Sequence, residues 1–278
     1  EGRYHLHDLV RIYAKDKLEK DGQDDIGMAH QLLSAYYLAV LKRANELLLA
    51  GGEALSSGLK LFDLEWPNIS AGQNWARIQS SASPECSEIC SNYAWMASIL
   101  GLRLHPGENI RWLEAALDCA RRIGNKNAEG AHLSNLGMAC ADLGDARKAI
   151  EYYEQALAIT REIGDRRGEG NALGNLGSAY YALGDARKAI EYYEQALAID
   201  REIVDRMGEG ADLGNLGSAY AALGDARKAI DYYDQALTIS REIGDLKGEG
   251  NRLGNLGLAY ADLGDSRKAK DYYDQALA

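Results

Sequence analysis

The stretch NLGSAYYALGDARKAIEYYEQAL at residues 175–197 decides the fold, because nearly the same residues stand 40 positions before and after it. LGDARKAI occurs at 143–150, 183–190 and 223–230 and returns as LGDSRKAK at 263–270, while NLG recurs at 135, 175, 215 and 255. A period this regular marks a solenoid of stacked units, each too small to bury its own apolar face. Within 168–207, Leu173, Leu176, Gly177, Tyr180 and Leu183 follow helical spacing, Gly184-Asp185 interrupts it, and Ala189, Ile190, Tyr193, Ala196, Leu197 and Ile203 resume it. Each unit therefore reads as two antiparallel helices. Asp185 stands where a carboxylate caps the second helix, and Gly184 suits the left-handed turn that closes the first. Small residues at Gly177 and Ala196 alternate with Tyr180 and Tyr193, as close helix packing requires.

These residues resemble the tetratricopeptide repeat, almost position for position over 175–197, and the 40-residue period is similar to the extended variant of kinesin light chains and spindle-orientation adaptors. The resemblance implies an all-α fold, a right-handed superhelical solenoid of hairpins preceded by a helical N-terminal region. The repeats are expected at 88–127 (degenerate), 128–167, 168–207, 208–247 and 248–278 (truncated). In the degenerate unit Trp95, Ile110, Trp112, Ala116, Leu117 and Ile123 stand 40 residues before Asn135, Ile150, Tyr152, Ala156, Leu157 and Ile163.

The first 87 residues leave the period but read as helical over 5–19, 25–49 and about 67–82. A Gly/Ser-rich break falls at 51–58, and Pro67 suits a first helical turn. RYHLHDLVRIYAKDKL at 3–18 resembles the end of the winged-helix region of bacterial STAND (NB-ARC-type) signal-transduction ATPases, so 1–20 is expected to be a winged-helix-like remnant and 21–87 a helical linker or cap. LFDLEWPNISAGQNWA at 61–76 resembles the segment preceding their tetratricopeptide sensor. The resemblance implies a sensor that restrains an upstream nucleotide-binding module until a ligand binds. ATP or ADP would belong to that module and no cofactor to this chain, which lacks a G-x-x-x-x-G-K-[ST] phosphate loop. The chain opens on Glu1 and stops at Ala278 in mid-pattern, so it reads as an excised piece.

Composition narrows the partners. With 42 Asp and Glu against 31 Lys and Arg, the net charge of -11 opposes a phosphate backbone, so nucleic acid is not expected. No stretch approaches the ~18 continuous apolar residues of a membrane span. Cys86, Cys90, Cys119 and Cys140 lack zinc spacing and disulfide-scaffold density, which points to a reducing cytoplasm. His5-x-His7 with Asp8 lacks a second ligand cluster, so no metal is expected. No nucleophile elbow or metal motif supports an enzyme, and no residue is assigned a catalytic role.

The expected partner is a protein or peptide, or the protein's own upstream module, held on the concave face that first helices line in this family. Three ladders run along it: Asn135, Asn175, Asn215 and Asn255; Ser134, Gly174, Gly214 and Gly254; and Met138, Ser178, Ser218 and Leu258. An asparagine amide both donates and accepts, so a row of them can bridge an extended peptide backbone, with small neighbours leaving it space. The same row could instead serve helix ends or neighbouring hairpins. Asn171, Asn251, Arg252, Tyr181 and Asp262 are further candidates because they break the repetition. Tyr153, Tyr193 and Tyr233 read as core and Tyr152, Tyr192 and Tyr232 as partly exposed packing. The alternative to a STAND sensor is a free-standing adaptor that clasps extended peptides.

Overall fold

The computed structural model describes residues 23–277, so the winged-helix-like stretch, with His5, His7 and Asp8, lies outside the described residues. The described residues form thirteen helices and no strand. They divide into two compact units between Asn125 and Lys126.

The first unit holds α1 (Gln23–Ala50), α2 (Gly52–Gln79), α3 (Pro84–Tyr93), α4 (Ala97–Arg103) and α5 (Pro106–Arg122). The break expected at 51–58 is confined to Gly51 and Gly52, whose φ of 69° and 56° make the turn; the rest is helical. Gly58 is a point of close approach, since a Cβ there would stand 2.6 Å from the Ala44 carbonyl oxygen. Pro67 lies inside α2 on an exposed surface and not in a first turn. The first half of the degenerate repeat expected at 88–127 is interrupted at Ala94–Met96, between α3 and α4. Tyr93, fully buried, sends its hydroxyl to the Ser34 carbonyl at 2.7 Å, and Asn45 Oδ1 accepts the Ile99 N–H at 3.1 Å. Both bonds tie the broken segment to α1, which overrides the repeat geometry locally.

The second unit is four consecutive hairpins: α6 (Lys126–Asp142) with α7 (Ala146–Ile163), α8 (Arg166–Ala182) with α9 (Ala186–Glu202), α10 (Arg206–Ala222) with α11 (Ala226–Ile243), and α12 (Leu246–Asp262) with α13 (Ser266–Ala276). Within each hairpin the turn glycine, Gly144, Gly184, Gly224 or Gly264, has φ between 79° and 82°. The Asp185 N–H reaches the Tyr180 carbonyl at 3.0 Å and the Gly184 N–H the Tyr181 carbonyl at 2.9 Å, satisfying the orphan carbonyls of α8. Asp185 Oδ1 then accepts the Lys188 N–H at 3.0 Å, and Asp145, Asp225 and Asp265 do the same in their hairpins.

The turn between hairpins also needs one left-handed residue. Gly164 and Gly244 supply it with φ of 71° and 73°, but the equivalent residue after α9 is Val204, with φ of 59°. A β-branched side chain is strained there and Val204, 76% exposed, gains little from packing. Val204→Gly is therefore expected to raise stability by about 1 kcal/mol, after the glycine's entropy in the unfolded chain is counted. A thermal midpoint that stays level or falls contradicts this.

Burial follows the 3.6-residue stripe. Tyr153, Tyr193 and Tyr233 are buried and pack closely against Gly137, Gly177 and Gly217 of the partner helix, while Tyr152, Tyr192 and Tyr232 are half-buried. Tyr192 stacks on Tyr180 and Tyr232 on Tyr220, both at 5.3 Å between centroids, with Lys188 and Lys228 over the stacks. Buried Glu169 pairs with Arg161 of α7 and Arg166 of its own helix, and buried Glu209 with Arg201 and Arg206. Burial works to raise the pKa of both glutamates, yet the paired guanidiniums hold it below the ordinary value. These acids thus belong to the joints between hairpins.

Candidate protein-binding groove

In the second unit, successive first helices (α6, α8, α10, α12) approach one another more closely than successive second helices do. The unit therefore curves with its first helices on the inner side. Asn135, Asn175, Asn215 and Asn255 fall at the same place on these four helices, and all are half-buried. Among the described residues, none of the four amides has a hydrogen-bond partner in the protein. None of them is hydrogen-bonded to a helix end or to a neighbouring hairpin. Four donor–acceptor groups along one face are thus left to water or a ligand.

Beside Asn175 lies a cavity of about 290 Å³, walled by Ala141, Tyr153, Ala179, Ala182 and Leu183 with Ser178 at its side. Its walls are small or apolar and its rim carries an amide. That is the chemistry of a seat for one apolar side chain whose backbone the amide holds. Leu143, Leu183, Leu223 and Leu263, each about half exposed at the end of a first helix, form an apolar row parallel to the asparagines.

The remaining predicted residues separate. Met138 and Leu258 are exposed. Ser178 and Ser218 are engaged: each hydroxyl donates to the carbonyl four residues back (Gly174, 3.1 Å; Gly214, 3.0 Å) and accepts from Tyr193 or Tyr233 at 3.1 Å. Asn171 and Asn251 are exposed one turn before Asn175 and Asn255, on the same face. Tyr181, 40% exposed, stands about 120° round α8 from Asn175, so it is not brought to the same face. Asp262, the last residue of α12, is exposed.

The open space expected along the glycine row is largely filled, which corrects the sequence reading. A Cβ on Gly174 would stand 3.3 Å from Asp212 Oδ1, and one on Gly214 would strike the Arg252 guanidinium, while Gly254 is open. Lacking side chains, Gly174 and Gly214 admit a group from the next hairpin. Arg252 lies there with Nη2 at 3.4 Å from the Gly210 carbonyl and Nε buried without a partner. Burial pulls its pKa below the ordinary value against the Tyr233 and Asp245 charges, and among the described residues no carboxylate forms an ion pair with it.

Sequence reasoning missed Asp212. It occupies the position held by His132, Ala172 and Arg252 in the other hairpins, and it is buried against Asp200 of α9. The two carboxyls hydrogen-bond to each other. Burial, with the Asp200 charge beside it, pushes Asp212 up to about 8, and burial with the Asp205 charge pushes Asp200 up to about 6. The available signal was divergence: in near-identical repeats this position changes character every time.

Among the described residues, no group of three or more His, Cys, Asp or Glu is placed to hold a metal, and no helix is long and apolar enough to cross a membrane.

A family model described as tetratricopeptide repeat matches residues 108–162, 128–202 and 211–278, more than half of the chain. No curated protein matches the sequence significantly. Among solved structures the chain is similar to BtubC (BKLC) from P. vanneervenii (22% identity, TM-score 0.66, 78% of this chain and 89% of that one). It is also similar to aspartyl phosphate phosphatase F from Bacillus subtilis (13%, 0.66, 92% and 74%). A third is PH0952 from Pyrococcus horikoshii, a signal-transduction ATPase with numerous domains and a tetratricopeptide repeat sensor (19%, 0.64, 81% of this chain and 35% of that one). At these identities the likeness concerns the fold.

Proposed function

The chain belongs to the tetratricopeptide-repeat family, and we propose that the inner face of its second unit binds a segment of another protein, with the Asn135–Asn175–Asn215–Asn255 row holding the ligand's backbone. The observation that carries this reading is four half-buried amides without hydrogen-bond partners in the described residues, one of which, Asn175, lines an apolar cavity. Asn171 and Asn251 extend the row, and Arg252 brings a partly buried guanidinium over Gly214 beside it. Ser178 and Ser218 shape the wall and hold Tyr193 and Tyr233. The reading assigns the chain no catalytic role and no cofactor.

The setting we propose is the sensor of a cytoplasmic STAND-type regulator, where ligand on the groove relieves restraint on a nucleotide-binding module in the same polypeptide. It is supported by the stretches at 3–18 and 61–76 and by the likeness to the sensor-bearing ATPase. The second reading, a scaffold adaptor, is supported by the similarity to a putative kinesin light chain repeat protein from Podosopora anserina (20% identity, TM-score 0.54, 94% of that chain). A nucleotide module in cis separates the two.

The groove is tested by selecting peptides from a displayed random library on the wild-type chain and titrating them into the Asn175→Ala, Asn215→Ala, Asn255→Ala triple variant. Each bridging amide is worth about 1 kcal/mol, so the triple change weakens binding about 100-fold, with an unchanged helical spectrum. Equal affinity for both proteins removes the asparagine row from the site.

A further inference from the structure

Cys86 and Cys90 lie one turn apart on α3, but the thiol that Cys90 meets is Cys119 of α5. The two cysteines are buried together with Ala76 in one cluster, and each is 1% exposed. Both are free thiols. Their surroundings differ. Cys119 borders a cavity of about 630 Å³ whose lining includes Arg77, Ser80, Asp118 and Arg122, whereas Cys90 stands behind it, away from the cavity. Arg122 Nη1 donates to Ser80 Oγ at 2.7 Å, which fixes a guanidinium and a hydroxyl beside the Cys119 sulfur.

We propose that Cys90 and Cys119 are a dithiol–disulfide couple, with Cys119 as the sulfur that meets a hydroperoxide entering through the cavity and Cys90 as the resolving thiol. The unequal acidities agree with these roles. The neighbouring Cys90 thiol, aided by Ser80 and Arg122 against burial, draws the Cys119 thiol below its ordinary value, while Cys119 and burial push Cys90 up and keep it protonated. The Cys119 thiolate attacks the distal peroxide oxygen; the O–O bond breaks, leaving a sulfenic acid on Cys119 and an alkoxide or hydroxide that takes up a proton. The Cys90 sulfur then attacks the sulfenic sulfur, the S–O bond breaks, and the departing hydroxide leaves as water with the Cys90 proton. Two thiols lose two electrons in all, and hydrogen peroxide becomes two waters. The new bond joins α3 to α5 across the interrupted hairpin of the first unit.

The test is to treat the whole chain with stoichiometric hydrogen peroxide at pH 7, alkylate it, and map the peptides by mass. A Cys90–Cys119 cross-linked peptide two hydrogens lighter than the dithiol is expected, with Cys119, which borders the cavity, consumed about tenfold faster than Cys86. In Cys90→Ser the reaction stops at sulfenic acid on Cys119, trapped as a dimedone adduct; in Cys119→Ser neither product forms. The proposal is overturned if Cys119 reacts no faster than Cys86, or if the wild type shows no 90–119 cross-link. The wild-type map decides this even if a variant fails to fold.

Discussion

Gly177→Ala and Gly217→Ala each lower the stability of the chain by about 2 kcal/mol, although alanine is the better helix former by nearly 1 kcal/mol. A Cβ at either site would stand 2.5–2.6 Å from a ring carbon of Tyr193 or Tyr233. Those rings are buried, and their hydroxyls are bonded to Ser178 and Ser218, so they cannot swing aside. The hairpin must open instead, at a cost of the size seen when a dense core is overpacked. Gly254→Ala is the control, because nothing lies within 4 Å of its would-be Cβ and the helix simply gains. That change raises stability by up to about 1 kcal/mol. Urea midpoints for the three variants check the pair of signs; equal shifts at all three sites would mean that the tyrosines do not set the approach of the helices.

Asp212→Asn stabilises the chain at pH 7.5 by on the order of 3 kcal/mol and leaves it little changed near pH 4. In the folded protein Asp212 keeps its proton to about 8 and Asp200 to about 6, while in the unfolded chain both titrate near 3.8. Between these values the native state binds more protons than the unfolded state. Stability from this pair is therefore fully present in acid and is lost as pH rises, by up to ~1.4 kcal/mol per unit for each group. The charges around Asp200 do not compensate: Asp205 and Glu209 oppose its ionisation and Arg167 favours it, while burial and Asp200 hold the proton on Asp212. An asparagine amide donates to the Asp200 carboxylate without needing a proton. Unfolding free energies of the two proteins from pH 4 to pH 8 should diverge as pH rises. Parallel curves would mean that Asp212 is ionised and solvated in the folded state.

Where the repeat is regular, local chemistry was enough to read the structure. Gly184 and Asp185 make the turn and cap expected of them, and Tyr193 faces the core that its place on the stripe implies. Where the repetition fails, the reading was weaker. The first half of the repeat expected at 88–127 breaks at Ala94–Met96, where Tyr93 and Ile99 are bonded to α1, more than 50 residues away, and no local pattern encodes that distance. Gly58 and Pro67 resemble breakers in sequence, yet one marks close packing and the other is tolerated on an exposed helix surface.

The candidate groove divides the same way. That four asparagines share one face follows from a 40-residue period and 3.6 residues per turn, both legible in the residues themselves. That their amides lack partners, that Ser178 is already bonded to Tyr193, and that Arg252 fills the space over Gly214 were decided by neighbouring hairpins. The same holds for the meeting of Asp200 with Asp212 and of Cys90 with Cys119. Periodicity determines which face a side chain occupies, because backbone geometry alone sets the angle. Only packing determines what that side chain touches, because the reach of one helix onto the next depends on which residues are missing a Cβ at the contact.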